Sequence, residues 1–244
     1  MPESLSVSEF FGPTLQGEGP SQGRAAVFLR LGLCNLDCSW CDTPYTWDWT
    51  GKNGVAFDRA TELKRLPLEQ IVASLRSLTD ETVRPVLVVT GGEPLVQQTA
   101  LAALLDLWDD RAEIETNGTI IPNEALLQRS REGLLRWNCS PKLANSGITE
   151  DRRINPEALS VLSEHDTAWK FVVSTLDDIA EVENFLASYL PEVSPGNIWL
   201  MPEGTTPDVL LARIRSFVFD QVARRGWNLS PRLHALVFGD IRGI

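Results

Sequence analysis

The chain has 244 residues, 43% of them hydrophobic, and a formal net charge of −11. That is long enough to bury a full core in one large α/β domain. The acidic balance argues against a binder of nucleic-acid backbones, which needs a surplus of Lys and Arg, and favours a small-molecule partner. Met1-Pro-Glu-Ser-Leu5 lacks the basic and apolar regions of a signal peptide. No apolar run approaches the roughly 20 residues of a membrane span. The expectation is a cytoplasmic protein with reduced thiols and no membrane partner.

In chain order, an opening strand is predicted near Leu5–Phe11, then a Gly/Pro-rich turn from Gly12 to Pro20. A nearly unbroken apolar strand, Ala25–Leu33, leads into a cysteine loop, and a Trp-rich stretch from Asp42 to about Arg59 is too irregular for a regular element. Alternation follows: helix 68–78, strand 85–90, helix 95–108, strand 112–116, helix 123–131, strand 135–139, helix 155–162, strand 168–174 and helix 177–190. Strand 197–201, a long helix from Pro207 to about Arg225 capped by Thr206, and a last strand near Arg232–Phe238 complete the pattern. Repeated strand–helix units imply a parallel sheet with right-handed crossovers. Six central units fit an open, partial barrel of the (β/α)6 type, in a single domain spanning 1–244.

Cys34, Cys38 and Cys41 lie together at the C-terminal end of a strand, where α/β proteins usually place their chemistry, and the chain has only one other cysteine, Cys139. Disulfides among them would be cramped and leave one thiol over. Thiolates suit zinc and iron–sulfur clusters. A structural zinc site takes four ligands, and the fourth candidates, Cys139 and His234, are distant in sequence. Three thiolates on a four-iron cluster would leave one iron open to an outside ligand. Three further strands end in polar turns: Val89-Thr-Gly-Gly-Glu-Pro94, Glu115-Thr-Asn-Gly118 and Ser140-Pro-Lys142. Taken alone, Gly-Gly-Glu is equally an ordinary strand-to-helix turn.

The spacing Cys-x3-Cys-x2-Cys, with Trp40 before the last cysteine, resembles the signature of the radical S-adenosylmethionine (SAM) superfamily. That resemblance implies a [4Fe-4S] cluster on Cys34, Cys38 and Cys41. It also implies SAM held by Trp40, Gly92, Glu93, Glu115, Asn117, Ser140 and Lys142. Reductive cleavage of SAM would yield a 5′-deoxyadenosyl radical.

The turn Gly12-Pro-Thr-Leu-Gln-Gly-Glu-Gly19 offers the amide of Gln16 and the carboxylate of Glu18, the inventory for reading a guanine-like edge, although a polar turn is a sufficient account of these residues alone. With Phe28-Leu-Arg-Leu-Gly-Leu-Cys-Asn35, Cys41-Asp-Thr43, Thr90-Gly-Gly-Glu-Pro94, Ser140-Pro-Lys142, Arg232-Leu-His-Ala-Leu236 and Arg242-Gly243, the whole chain resembles the 7-carboxy-7-deazaguanine synthases of queuosine and 7-deazapurine biosynthesis. Those lyases convert 6-carboxy-5,6,7,8-tetrahydropterin to 7-carboxy-7-deazaguanine with loss of ammonia. The SAM-derived radical removes the C6 hydrogen, the ring contracts, and SAM is regenerated.

The resemblance assigns pterin contacts to Leu15, Gln16, Gly17, Glu18, Arg30, Thr90 and His234, and Mg²⁺ to Thr43. It makes a homodimer and an electron donor such as flavodoxin the expected partners. Asp42 is left as a cap or outer residue, His165 as solvated, Cys139 as a buried strand residue, and Trp47 and Trp49 as packing or dimer contacts. Some family members carry a long insertion between the first two cysteines, whereas this chain has the short form. A glycyl-radical-activating enzyme is the alternative: it would share the cluster and the Gly-Gly-Glu turn but act on a protein.

Overall fold

The computed structural model describes residues 4–80 and 82–243. The expected domain limits at Met1 and Ile244, and the N-terminal segment Met1–Glu3, lie outside them. The strands are β1 (Ser4–Leu15), β2 (Ala25–Leu31), β3 (Lys64–Pro67), β4 (Val86–Gly91), β5 (Ala112–Thr116), β6 (Leu135–Cys139), β7 (Thr167–Val173), β8 (Ile198–Pro202) and β9 (Asn228–Leu229). They form one unclosed sheet in the order β3-β1-β2-β4-β5-β6-β7-β8-β9. β1 runs antiparallel to both its neighbours, and every pair from β2 to β9 is parallel. The long parallel strands β2 and β4–β8 are the expected six units of a partial barrel.

The helices are α1 (Arg59–Glu62), α2 (Leu68–Arg76), α3 (Gln98–Trp108), α4 (Glu124–Arg131), α5 (Glu150–Arg153), α6 (Pro156–Ser163), α7 (Leu176–Tyr189), α8 (Pro207–Arg213), α9 (Phe219–Arg225) and α10 (Leu233–Phe238). They form where apolar residues recur at helical spacing. α2 turns Leu68, Ile71, Val72 and Leu75 inward, and α3 turns Leu101, Leu104, Leu105 and Trp108. Side chains cap the starts of α4, α7 and α8, Thr206 as the sequence suggests. The side chain of Asn123 accepts from Leu126 N at 3.1 Å, Thr175 and Asp178 form a capping box, and Thr206 Oγ1 accepts from Val209 N at 3.5 Å. The long helix after Thr206 is continuous from Pro207 to Arg225 but winds as a π-helix over Ile214–Val218.

Two segments differ from expectation. β1 runs on to Leu15, pairing Leu15 with Ala25 across a register shift after Phe11, so the turn before β2 narrows to residues 16–24. The last segment is the helix α10, not a strand. Only Leu233, Ala235, Leu236, Val237 and Phe238 are apolar there, and a run so short reads equally as strand or helix. The sheet ends at the two-residue β9, and α10 adds no strand beyond it. β3, a short exposed edge strand, carries no periodicity by which to find it.

Candidate active site

The carboxyl ends of the parallel strands open onto a cavity of about 610 Å³, within the ~300–1,000 Å³ of small-molecule sites. All the site residues assigned from the sequence line it except Gly17 and Glu93. Among the described residues no helix is long and apolar enough to cross a membrane.

The loop after β2 supplies the cysteine wall. Cys34, Cys38 and Cys41 are free thiols, packed with Leu36 and Ile148 in a small apolar cluster. Burial pushes the Cys34 thiol up to about 12 and raises Cys38 and Cys41 as well. Such thiols ionise only beside a strong positive charge, which bound iron provides. Among the described residues no three His, Cys, Asp or Glu side chains converge on a single metal ion. Ligands shared among separate irons of a cluster stand farther apart than ligands of one ion. Free thiols on one shared wall suit such a cluster. Thr43 is buried beside them with its hydroxyl 3.5 Å from Gly91 O and 3.7 Å from Cys41 Sγ; it makes no cap bond, so the hydroxyl is directed at the cavity wall.

The strand-end turns form the adjoining wall. Gly92 has no room for a Cβ, which would lie 2.0 Å from Leu33 O, so this glycine serves first to bring the ends of β2 and β4 together. Glu93 departs from expectation. Its carboxylate is fully buried outside the cavity lining, accepting from Leu95 N at 3.0 Å, Thr116 Oγ1 at 2.9 Å and Asn117 N at 2.7 Å. An ionisable group so enclosed is satisfied by protein donors, and here it ties the β4 turn to the β5 turn. Asn117 in turn donates to Asn35 Oδ1 at 2.9 Å beside the first cysteine. Lys142 donates to Ser140 Oγ at 3.1 Å and lies over the Trp40 ring at 5.6 Å, and Trp40 Nε1 donates to Asn145 Oδ1 at 3.2 Å. Thr90 and Glu115, assigned to different ligands, share a 2.6 Å hydrogen bond and so border one subsite.

The floor is polar and charged. Gln16 is buried; its Oε1 accepts from Glu18 N at 3.1 Å, while its Nε2 has no partner among the described residues. Glu18 pairs with Lys170 on β7, with Arg232 Nε at 3.3 Å and, more distantly, with His234 Nε2 at 3.9 Å. Burial alone would raise the Glu18 carboxyl, but Lys170 and Arg232 together hold it well below the usual range. Burial keeps His234 below its ordinary value. Gly17 is the second departure: a Cβ there would meet His234 Nδ1 at 2.2 Å, and Gly17 O accepts from Leu233 N at 2.9 Å, so Gly17 seats α10 and leaves the cavity to its neighbours. Arg30 stands at the rim with Nε on Glu9 at 2.7 Å and its guanidinium 5.5 Å over Phe11, which stacks on Phe28. Its terminal nitrogens have no hydrogen-bond partner among the described residues.

Lys170, Arg232 and Trp47 are among the cavity residues to which the sequence reading gave no site role. Lys170 lies mid-strand in Thr167-Ala-Trp-Lys-Phe-Val-Val173 and bridges Glu18 and Glu115, the latter at 3.8 Å. A lysine inside an apolar run was the available signal. Arg232 pairs with Asp42 as well as Glu18, and Trp47 donates to Cys41 Sγ at 3.3 Å. Asp42 is thus an ion-pair partner and not a cap. Cys139 is fully buried in β6, and His165 lies outside the cavity lining, in the turn after α6.

Comparison with known proteins gives a match to the radical SAM superfamily over residues 30–164. A 7-carboxy-7-deazaguanine synthase from Pyrobaculum aerophilum is 36% identical over 98% of this chain and 97% of its own. One from Halobacterium salinarum is 32% identical, covering 97% and 91%. The crystal structure of QueE from Escherichia coli superposes with a TM-score of 0.67 at 27% identity, covering 93% of this chain and 92% of that one.

Proposed function

The chain belongs to the radical SAM superfamily and, within it, to the 7-carboxy-7-deazaguanine synthases, and on that premise we propose how its residues divide the work of turning 6-carboxy-5,6,7,8-tetrahydropterin into 7-carboxy-7-deazaguanine. The family reading favours this lyase over a glycyl-radical-activating enzyme. Cys34, Cys38 and Cys41 would hold the [4Fe-4S] cluster, which would supply the electron that cleaves SAM to methionine and the 5′-deoxyadenosyl radical required to take the C6 hydrogen. Trp40, Gly92, Asn117, Ser140 and Lys142 line the wall between cluster and strand ends, as SAM contacts require. Glu93 acts behind them, holding the Asn117 backbone in place.

The pterin belongs on the floor. The unpartnered Nε2 of Gln16 would donate to a ring carbonyl, and ionised Glu18 would accept from ring N–H groups. Lys170 and Arg232 fix that carboxylate in position and charge. Thr90 and Glu115 border both ligands. The terminal nitrogens of Arg30 present a fork for the substrate carboxylate. Thr43 would contribute its hydroxyl to Mg²⁺ together with that carboxylate and water, since Mg²⁺ keeps several waters. Closing the reacting centre against water is the remaining task, and Leu15 and His234 stand at the floor's margin for it.

One observation carries this division: Gln16, whose buried amide donor has no partner among the described residues, lines the same cavity as the three thiols. The family resemblance and the unbroken sheet support a single domain, a homodimer, a cytoplasmic setting and a flavodoxin-type electron donor. Anaerobic, iron-loaded protein given 6-carboxytetrahydropterin, SAM and Mg²⁺ is expected to form the deazaguanine chromophore without consuming SAM stoichiometrically. Gln16→Ala should lower kcat/KM for the pterin about 10–100-fold, the cost of ~1–3 kcal/mol for one unpaired group, with SAM affinity unchanged. Equal losses for both ligands would move Gln16 out of the pterin site. Omission of Mg²⁺ without effect would remove the role given to Thr43.

A further inference from the structure

The Trp47–Trp49 stretch lies against the cysteine wall with no task in the division above. Trp47 lines the cavity and its indole N–H donates to Cys41 Sγ at 3.3 Å. The contact is held by the loop around it. Trp47 N donates to Pro44 O at 3.0 Å. The next residue, Asp48, is 1% exposed and accepts backbone N–H groups from Gly51 at 2.8 Å, Lys52 at 2.9 Å and Asn53 at 2.7 Å. Asn53 Nδ2 then donates to Cys38 O at 3.0 Å. The segment bearing Trp47 is thus laced back onto the cysteine loop. Cys34 Sγ receives a backbone N–H, from Leu36 at 3.4 Å, whereas Cys41 receives the one side-chain N–H given to these sulfurs among the described residues.

We propose that Trp47 is a positioning residue for the cluster: its N–H···S bond to Cys41 raises the cluster's reduction potential. A hydrogen bond to a ligating sulfur stabilises the more negative, reduced state, and bonds of this kind are a recognised lever on cluster potentials. Indole N–H is a donor only, so the direction of the effect is fixed. Reduction takes one electron from a low-potential donor, and Trp47 makes that electron easier to place. The inference rests on the assignment of a four-iron cluster to Cys34, Cys38 and Cys41.

The test is Trp47→Phe in full-length, anaerobically iron-loaded protein, with the cluster midpoint read by redox titration followed by electron paramagnetic resonance. The reduced-to-oxidised ratio at a fixed potential is expected to fall about tenfold, ~59 mV for a one-electron couple. Iron content should stay at the wild-type level, and Trp49→Phe should keep the wild-type midpoint. An unmoved midpoint in iron-loaded Trp47→Phe overturns the proposal. If that variant loads iron poorly, wild-type protein with indole-¹⁵N tryptophan decides. Pulsed resonance of its reduced cluster should show coupling to an indole nitrogen, and its absence overturns the proposal too. Wild-type protein that assembles no cluster would overturn the cluster assignment with it, whereas an intact wild-type cluster with an unmoved midpoint sinks only the role of Trp47.

Discussion

On the cysteine wall, three thiols come from one loop of eight residues and pack with Leu36 and Ile148. On the floor, Glu18 meets Lys170 and Arg232 from 152 and 214 positions away, and Arg232 meets Asp42 from 190. The electrostatics differ in the same sense. Burial raises the thiols and outweighs what Lys142 does to lower Cys38, so that wall has too little positive charge to ionise them until iron arrives. The floor already balances its carboxylates with Lys170 and Arg232. One wall is completed by its cofactor; the other is built beforehand by the fold, as positioning a small substrate requires.

The largest effect should come from breaking the cysteine wall. Replacing Cys34, Cys38 or Cys41 by Ala is expected to abolish both the cluster and turnover. Cys139→Ala, buried in β6 outside the cavity lining, should keep full iron and activity and lose only ~1 kcal/mol of stability. Iron assay and visible absorbance separate the two outcomes. Iron loss in Cys139→Ala would extend the wall beyond its loop.

The same contrast explains what the sequence could reveal. The cysteine loop and the turns at Gly92, Asn117 and Ser140 are local patterns, each at the end of a strand whose apolar run is visible. Lys170 was the reverse, its meaning depending on Glu18 arriving from the turn after β1 and Glu115 from β5. Glu93 stands within a recognisable motif, yet only three dimensions show its carboxylate turned toward Thr116 and Asn117. His234 was placed in the pocket but on a strand. Its helix depends on docking against Gly17, a contact no periodicity encodes.

Breaking the floor should cost stability as well as activity. Lys170→Met leaves Glu115 without its cation and Glu18 with Arg232 alone, so the loss should approach but not exceed the roughly 3–5 kcal/mol of a buried pair stripped of one partner. Urea unfolding should show that loss, and the double variant Lys170→Met with Glu18→Gln should recover part of it because the stranded charge is gone. Strict additivity of the two changes would mean that Glu18 and Lys170 do not act as a unit.

The smallest effect is a pH dependence specific to the floor. Lys170 and Arg232 outweigh burial and hold the Glu18 carboxyl below its ordinary value, about 4.3 in an unfolded chain. Between the folded and unfolded values the unfolded chain binds the proton that the folded one refuses, so stability falls as pH falls through that window. The contribution is complete above about pH 4.3 and is lost progressively below it. Glu18→Gln has no such proton to bind. Its stability deficit against wild type should therefore shrink on the order of 2 kcal/mol as pH falls from about 5 toward 3. Unfolding midpoints across that range measure it. A deficit that stays constant to pH 3 would mean that Glu18 is no more acidic in the fold than in the unfolded chain, and the floor would lose its claim to be charged before any ligand arrives.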